Sequence, residues 1–229
     1  MYNKINNYKS LLSKKKRMGV WHFDPQKKSQ DAKYLGRIKL SKRMVDGAKT
    51  SVEKTPLIPG VQLYKKDLIK RGYQNTEIAW NKMDNIQAGY NSTNTLLKQK
   101  YFFDKKHMPE WSRKILKMSK LENAYLVVHM NPPGSTNPWH YDTFAGMSKM
   151  KTDPKSKIKK KIMRVLLFVD DWHWGHFLQV GNQVVSNWKR GDVYSWKSDR
   201  YHLATNSGIA RRYTIAITGY SKTFPKYKK

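Results

Sequence analysis

"RVLLFVDDWHWGHFLQVGNQVVSNWKRGDVYSW", residues 164–196, decides how the second half of the chain folds. It divides into short apolar runs at 163–170, 176–181, 183–188 and 192–197, each too short for a typical helix and bounded by Gly, Asn or Asp. The same texture extends in both directions. "AYLVVHM" (124–130) and "PWHYDTF" (138–144) precede it, and "YHLATN" (201–206) and "RRYTIAITGY" (211–220) follow. Eight such runs in succession predict an all-β unit.

Upstream the pattern changes. In "MPEWSRKILKMSKL" (108–121), Pro109 suits a first helical turn, and Trp111, Ile115 and Met118 recur on one face, which predicts a helix packed on the sheet. Residues 1–60 are rich in Lys, Ser and Asn with little periodicity and read as a basic N-terminal arm, with "LSKKKR" (12–17) its densest cluster. Residues 61–229 read as the main domain, its helices preceding the strands, with arm and domain forming one structural unit. The longest break is "MSKMKTDPKSKIKKK" (147–161), whose length and charge suit a lid or a platform for an acidic substrate.

Across 229 residues, 46 Lys and Arg stand against 16 Asp and Glu, a net charge of +30. A field of that sign attracts polyanions, so nucleic acid, ribonucleoprotein and acidic proteins are the electrostatic partners to expect. There is no cysteine, which excludes disulfides, thiolate metal sites and cysteine nucleophiles. Any metal must be held by His and carboxylate. No run approaches the length of a membrane helix and the N-terminus has no apolar signal core, so the expectation is a cytoplasmic protein with no membrane partner.

Within "NPWHYDTF" (137–144), His140 and Asp142 are two positions apart and, in a strand, share one face, while Trp139 and Tyr141 take the other. The pair alone is weak evidence, since "VWHFDP" (20–25) repeats it around His22 and Asp24 with no strand series behind it. What distinguishes His140 and Asp142 is His202, on the seventh run, as a third ligand. Two imidazoles and one carboxylate leave three adjacent positions open on an octahedral ion, the arrangement of non-haem Fe(II) oxygenases. A rival set, His173 and His176 with Asp170 or Asp171, straddles a turn. His107, at a helix start, needs no function, and His129, at the end of the first run, either points into the pocket or satisfies the backbone.

H-x-D on the second run, a distal His on the seventh and R-x-T on the eighth resemble the Fe(II)/2-oxoglutarate-dependent oxygenase family. Within that family, 164–196 and "YHLATNSGIARRYTIAITG" (201–219) resemble small bacteriophage-encoded members. The resemblance spans about 108–220. It implies a mainly β fold with flanking helices and an eight-stranded double-stranded β-helix core, jelly-roll or cupin-like.

It further implies Fe(II) on His140, Asp142 and His202, with 2-oxoglutarate as cosubstrate and O2 as oxidant. The products would be succinate, CO2 and a hydroxylated substrate, by family analogy a protein or peptide side chain. The distal carboxylate of 2-oxoglutarate falls to the basic residue of the eighth run. Arg212 fits better than Arg211, because Arg212, Thr214, Ala216 and Thr218 share a face opposite the apolar Tyr213, Ile215 and Ile217. Arg164, Tyr125 and His176 are further candidates for the cosubstrate, Asn137 lies close to the ligand pair, and Trp139, Tyr141, Trp172, Trp174 and Trp196 could wall the pocket.

Two other readings stay open. One is nucleic-acid demethylation, but demethylases resembling this fold carry a second arginine six residues after the first on the last strand, and Thr218 at that position argues against it. The other is a basic nucleic-acid-binding module without oxygenase activity.

Overall fold

A computed structural model of the chain describes residues 31–59, 96–140, 142, 161–197 and 200–227. The elements, in order, are β1 (Lys33–Arg37), α1 (Lys42–Glu53), β2 (Ile58–Pro59), β3 (Leu96–Phe102), α2 (Glu110–Met118), β4 (Glu122–Asn131), β5 (Ser135–His140), β6 (Lys161–Phe168), β7 (His176–Val180), β8 (Gln183–Val185), β9 (Asp192–Ser195), β10 (His202–Asn206) and β11 (Arg212–Ser221). The eight runs overlap β4 to β11 in order, although the second, 138–144, shares only 138–140 with β5. His22, Asp24, the 12–17 cluster, Tyr141 and residues 147–160 of the Lys-rich loop lie outside the described residues.

The chain alternates between two sheets. The larger has the order β1-β9-β6-β11-β4-β3-β2 and the smaller β5-β10-β7-β8, all neighbours antiparallel. Numbered along β4 to β11, the core strands run 1-8-3-6 in one sheet and 2-7-4-5 in the other, which is the jelly-roll winding. Among the described residues the fold is therefore mainly β with two flanking helices.

The large sheet is covered on both faces, and this explains why its strands read as continuous apolar text. Val165, Leu167, Ile215, Ile217, Leu126 and Val128 face the helices in one core cluster, while Leu166, Phe168 and Ala216 meet Leu178, Val180 and Val185 of the small sheet in another. Alternation along β11 places Arg212, Thr214 and Thr218 in the inter-sheet space, and all three are buried.

α2 forms where the sequence indicates, with Pro109 as its extended N-cap and Trp111 and Ile115 buried on the predicted face. Part of the stretch read as an arm is built into the fold. β1 pairs with β9, and α1 buries Met44, Val45, Ala48 and Val52 against the large sheet and α2. Each of the larger of these side chains contributes about 1.5–3 kcal/mol relative to exposure. Ser41 caps α1, its hydroxyl accepting from Met44 N at 3.3 Å. At the other end Glu53 accepts from Arg211 Nη1 at 2.9 Å and from the Tyr213 hydroxyl, and pairs with Lys98 Nζ at 3.2 Å.

The turns at the Arg212 end are locked backbone to backbone. Ser207 N donates to Gly175 O at 2.8 Å, and a Cβ on Gly175, whose φ is +85°, would lie 2.2 Å from Gly208 N. A side chain at either glycine has no room.

Candidate metal centre

The site is assembled at one end of the small sheet. β5 and β10 pair so that His140 lies directly across from His202, with a register shift immediately after His202. Their rings are 4.2 Å apart, centroid to centroid. β5 ends at His140, so Asp142 is delivered from beyond the strand end and not from within the strand. It reaches the same place nonetheless. His140, Asp142 and His202 each offer a ligand atom within 4.8 Å of the others, and among the described residues they are the sole such cluster.

The surroundings prepare these groups for an ion. His202 Nδ1 lies 3.0 Å from the Arg200 carbonyl, so a proton there leaves Nε2 unprotonated, 4.0 Å from Asp142 Oδ2. Asp142 Oδ2 is buried and has no hydrogen-bond partner, whereas Oδ1 accepts from Arg164 Nη1. An orphaned carboxylate oxygen facing an unprotonated imidazole nitrogen is costly without a cation between them. The donor set therefore fits a divalent metal of the Fe(II) type.

Electrostatics point the same way. Burial alone would raise the Asp142 pKa, but the Arg164 guanidinium and the nearby imidazoles hold it below the ordinary carboxylate value. Burial lowers that of His202, outweighing the pull of Asp142, so the imidazole stays neutral. Trp196 packs beside His202 with ring centroids 4.8 Å apart, and Asn137 Nδ2 stands 3.4 Å from His140 Nε2.

A second feature lies deeper between the sheets. Arg212 is 3% exposed, and among the described residues no carboxylate lies within ion-pairing distance. Its Nη1 makes a long 3.4 Å bond to Asn131 Oδ1, its guanidinium is 5.8 Å from the Trp188 ring centroid, and its Nε is buried without a partner. Burial pushes its pKa down to about 10, which leaves it cationic at neutral pH. A buried cation without a counterion is destabilising, and a carboxylate ligand would relieve it. Thr214 lies two residues on, on the same face. Arg211, by contrast, points outward to Glu53.

The other expected residues are placed as follows. Arg164, on β6, is turned toward the candidate ligand Asp142: it donates to its carboxylate, donates from Nε to Thr218 Oγ1 at 3.0 Å and interacts with the Tyr125 hydroxyl. His176 faces the inter-sheet space, with Nε2 2.9 Å from the Ala210 carbonyl and its ring stacked on Trp188. The rival ligands do not converge. His173 and His176 have rings 5.6 Å apart, Asp170 pairs with Lys49 at 2.7 Å, and Asp171 accepts from Arg190 N. His107 bonds Asp104 on the surface. Trp172 packs against Trp174, which is 84% exposed.

Asn131 has no functional reading in the sequence, and for His129 the sequence leaves a place in the pocket and a purely structural one open. Asn131 lies opposite Arg212 in the β4–β11 register, and His129 opposite Thr214. Only the pairing of strands far apart in the chain reveals them.

No family model matches the chain, and no curated protein matches it in sequence. Solved structures are similar in shape. A viral collagen prolyl hydroxylase from Paramecium bursaria Chlorella virus-1, solved as a 2OG complex, is 12% identical, with 84% of this chain and 98% of that chain covered and a TM-score of 0.47. A Pseudomonas putida prolyl-4-hydroxylase is 11% identical, covering 78% of this chain and 100% of its own, with a TM-score of 0.42. A predicted oxalate decarboxylase from Thermotoga maritima is 13% identical over 55% of this chain and 82% of its own, with a TM-score of 0.34. The likeness is one of shape, and the chemistry of the site is carried by the side chains described above. Among the described residues, no helix is long and apolar enough to cross a membrane.

Proposed function

We propose that this chain is an Fe(II)- and 2-oxoglutarate-dependent dioxygenase that hydroxylates a protein or peptide side chain. One observation carries the reading: an open three-donor centre and a buried arginine that has no counterion among the described residues line the same inter-sheet space. His140, Asp142 and His202 would hold the iron. Arg212, with Thr214, would take the distal carboxylate of 2-oxoglutarate by a charge-assisted, bidentate contact. Arg164 holds Asp142 so that one oxygen remains for the ion, and Trp196 screens His202 from solvent. When bound, iron and cosubstrate supply O2 activation, converting 2-oxoglutarate to succinate and CO2 as one oxygen atom passes to the substrate. The peptide target is the expectation that the family resemblance brings.

The test is succinate formation from 2-oxoglutarate by purified protein supplied with Fe(II), measured with and without candidate peptides. Slow uncoupled turnover that disappears in His140→Ala is expected. No succinate together with no metal binding would overturn the reading.

A second reading, oxidation of methylated nucleic acid, gains support from Arg164. Thr218 occupies the position where the resembling demethylases carry a second arginine, yet the Arg164 guanidinium comes to Thr218 from the neighbouring strand. The +30 charge is compatible with a polyanionic substrate. Formaldehyde release from methylated single-stranded DNA or RNA separates this reading from peptide hydroxylation. Salt-sensitive nucleic-acid binding that survives in a His140→Ala, His202→Ala double variant, with no oxidation by the wild type, would instead mark a binding module.

A further inference from the structure

His129 is a half-buried titratable group to which the proposed mechanism gives no task. It pairs with Thr214 across β4 and β11, and cross-strand partners project from the same face of a sheet. That face also carries Arg212. The imidazole is deep in the protein but keeps some accessible surface, as a side chain lining a cavity does. It lies within electrostatic reach of Arg212, Arg164 and Asp142.

We propose that His129 is a cosubstrate-binding residue, donating a ring N–H to the same distal carboxylate that Arg212 and Thr214 engage. This rests on the dioxygenase reading above. A carboxylate has about four lone-pair sites, and a bidentate guanidinium and one hydroxyl leave room for a further donor. Burial, with the two flanking guanidiniums adding to it, lowers the pKa of His129 to about 3. The ring therefore stays neutral at physiological pH and offers a donor without adding a third positive charge to the wall.

The experiment is calorimetric titration of 2-oxoglutarate into protein loaded with Mn(II), a redox-silent stand-in for iron, using the wild type, His129→Phe and His129→Gln. Phe keeps a flat ring without a donor, and Gln restores an N–H. The expected result is affinity roughly 10- to 100-fold weaker for Phe, the range for a lost hydrogen bond to a charged group. Gln should recover most of that loss, and Mn(II) affinity and near-UV circular dichroism should be unchanged in both. Wild-type affinity in His129→Phe overturns the proposal, as does an equal loss in Phe and Gln, which would mean packing alone. If the wild type binds Mn(II) but no 2-oxoglutarate, the dioxygenase reading fails and takes this proposal with it.

Discussion

Asp142 and Arg164 meet between the two sheets: one carboxylate oxygen accepts from the guanidinium while the other, unbonded, lies 4.0 Å from His202 Nε2. The contact engages one carboxylate oxygen and leaves the other for the ion that the proposed function assigns to it. Replacing Arg164 with Met should weaken divalent metal binding by about 10- to 100-fold, the usual cost of losing a partner that orients a ligand. Arg164→Lys keeps the charge but not the planar fork, and should fall between. Metal titration followed by calorimetry checks the order.

Removing Asp142 tests the ion pair from the other side. In Asp142→Ala the Arg164 guanidinium is left partly buried without its carboxylate, so the metal-free protein should lose stability, by about 3 kcal/mol. His202→Ala should abolish metal binding with a smaller loss. Urea unfolding of the metal-free variants distinguishes the two.

Arg212→Met should behave in the opposite way. It removes a buried cation that has no counterion among the described residues, so the ligand-free protein should be as stable as the wild type or more so. Affinity for 2-oxoglutarate should fall at least about 100-fold, since a charge-assisted bidentate contact is lost. Melting curves with and without cosubstrate report both effects.

His129 gives a pH signature. Its folded pKa is about 3 against an unfolded value of 6.5, so between these values the unfolded chain binds the extra proton. Its contribution to stability is therefore complete above pH 6.5 and declines as the pH falls toward 3. The wild type should lose up to about 1.4 kcal/mol per pH unit more than His129→Gln across that window. Denaturant midpoints at pH 7 and pH 5 measure the difference.

Gly208→Ala probes the turn lock. The added Cβ would lie 2.0 Å from the Trp174 carbonyl oxygen, a backbone atom that cannot swing away. A loss of more than about 2 kcal/mol is expected, or roughly 4–8 °C in melting temperature.

The strand train and its alternation were legible because a strand buried on one or both faces writes its pattern locally. That is how Arg212, and not Arg211, could be assigned to the interior from the sequence. α1 was not legible, and Gly47 illustrates why. A glycine in mid-helix argues against a helix, but here a Cβ would lie 2.5 Å from Trp111 Cδ1, so the glycine makes room for a ring 64 residues away in sequence (111 − 47). The same holds for Arg164, whose hold on Asp142 depends on how two sheets face each other, and for His129, whose place depends on which strand lies beside it.

Two adjacent arginines create an ambiguity that the Glu53 contacts resolve. A one-residue slip of β11 would still put a guanidinium indoors, Arg211 in place of Arg212, while turning Tyr213, Ile215 and Ile217 into the cavity. Glu53 grips Arg211 and Tyr213 together from the back of the sheet, so the slipped alignment breaks both contacts and leaves Glu53 facing Arg212 without the tyrosine hydroxyl. A helix terminus outside the barrel thus acts as a proofreading contact for strand register, and Glu53→Gln is the variant in which misaligned folding should first become visible.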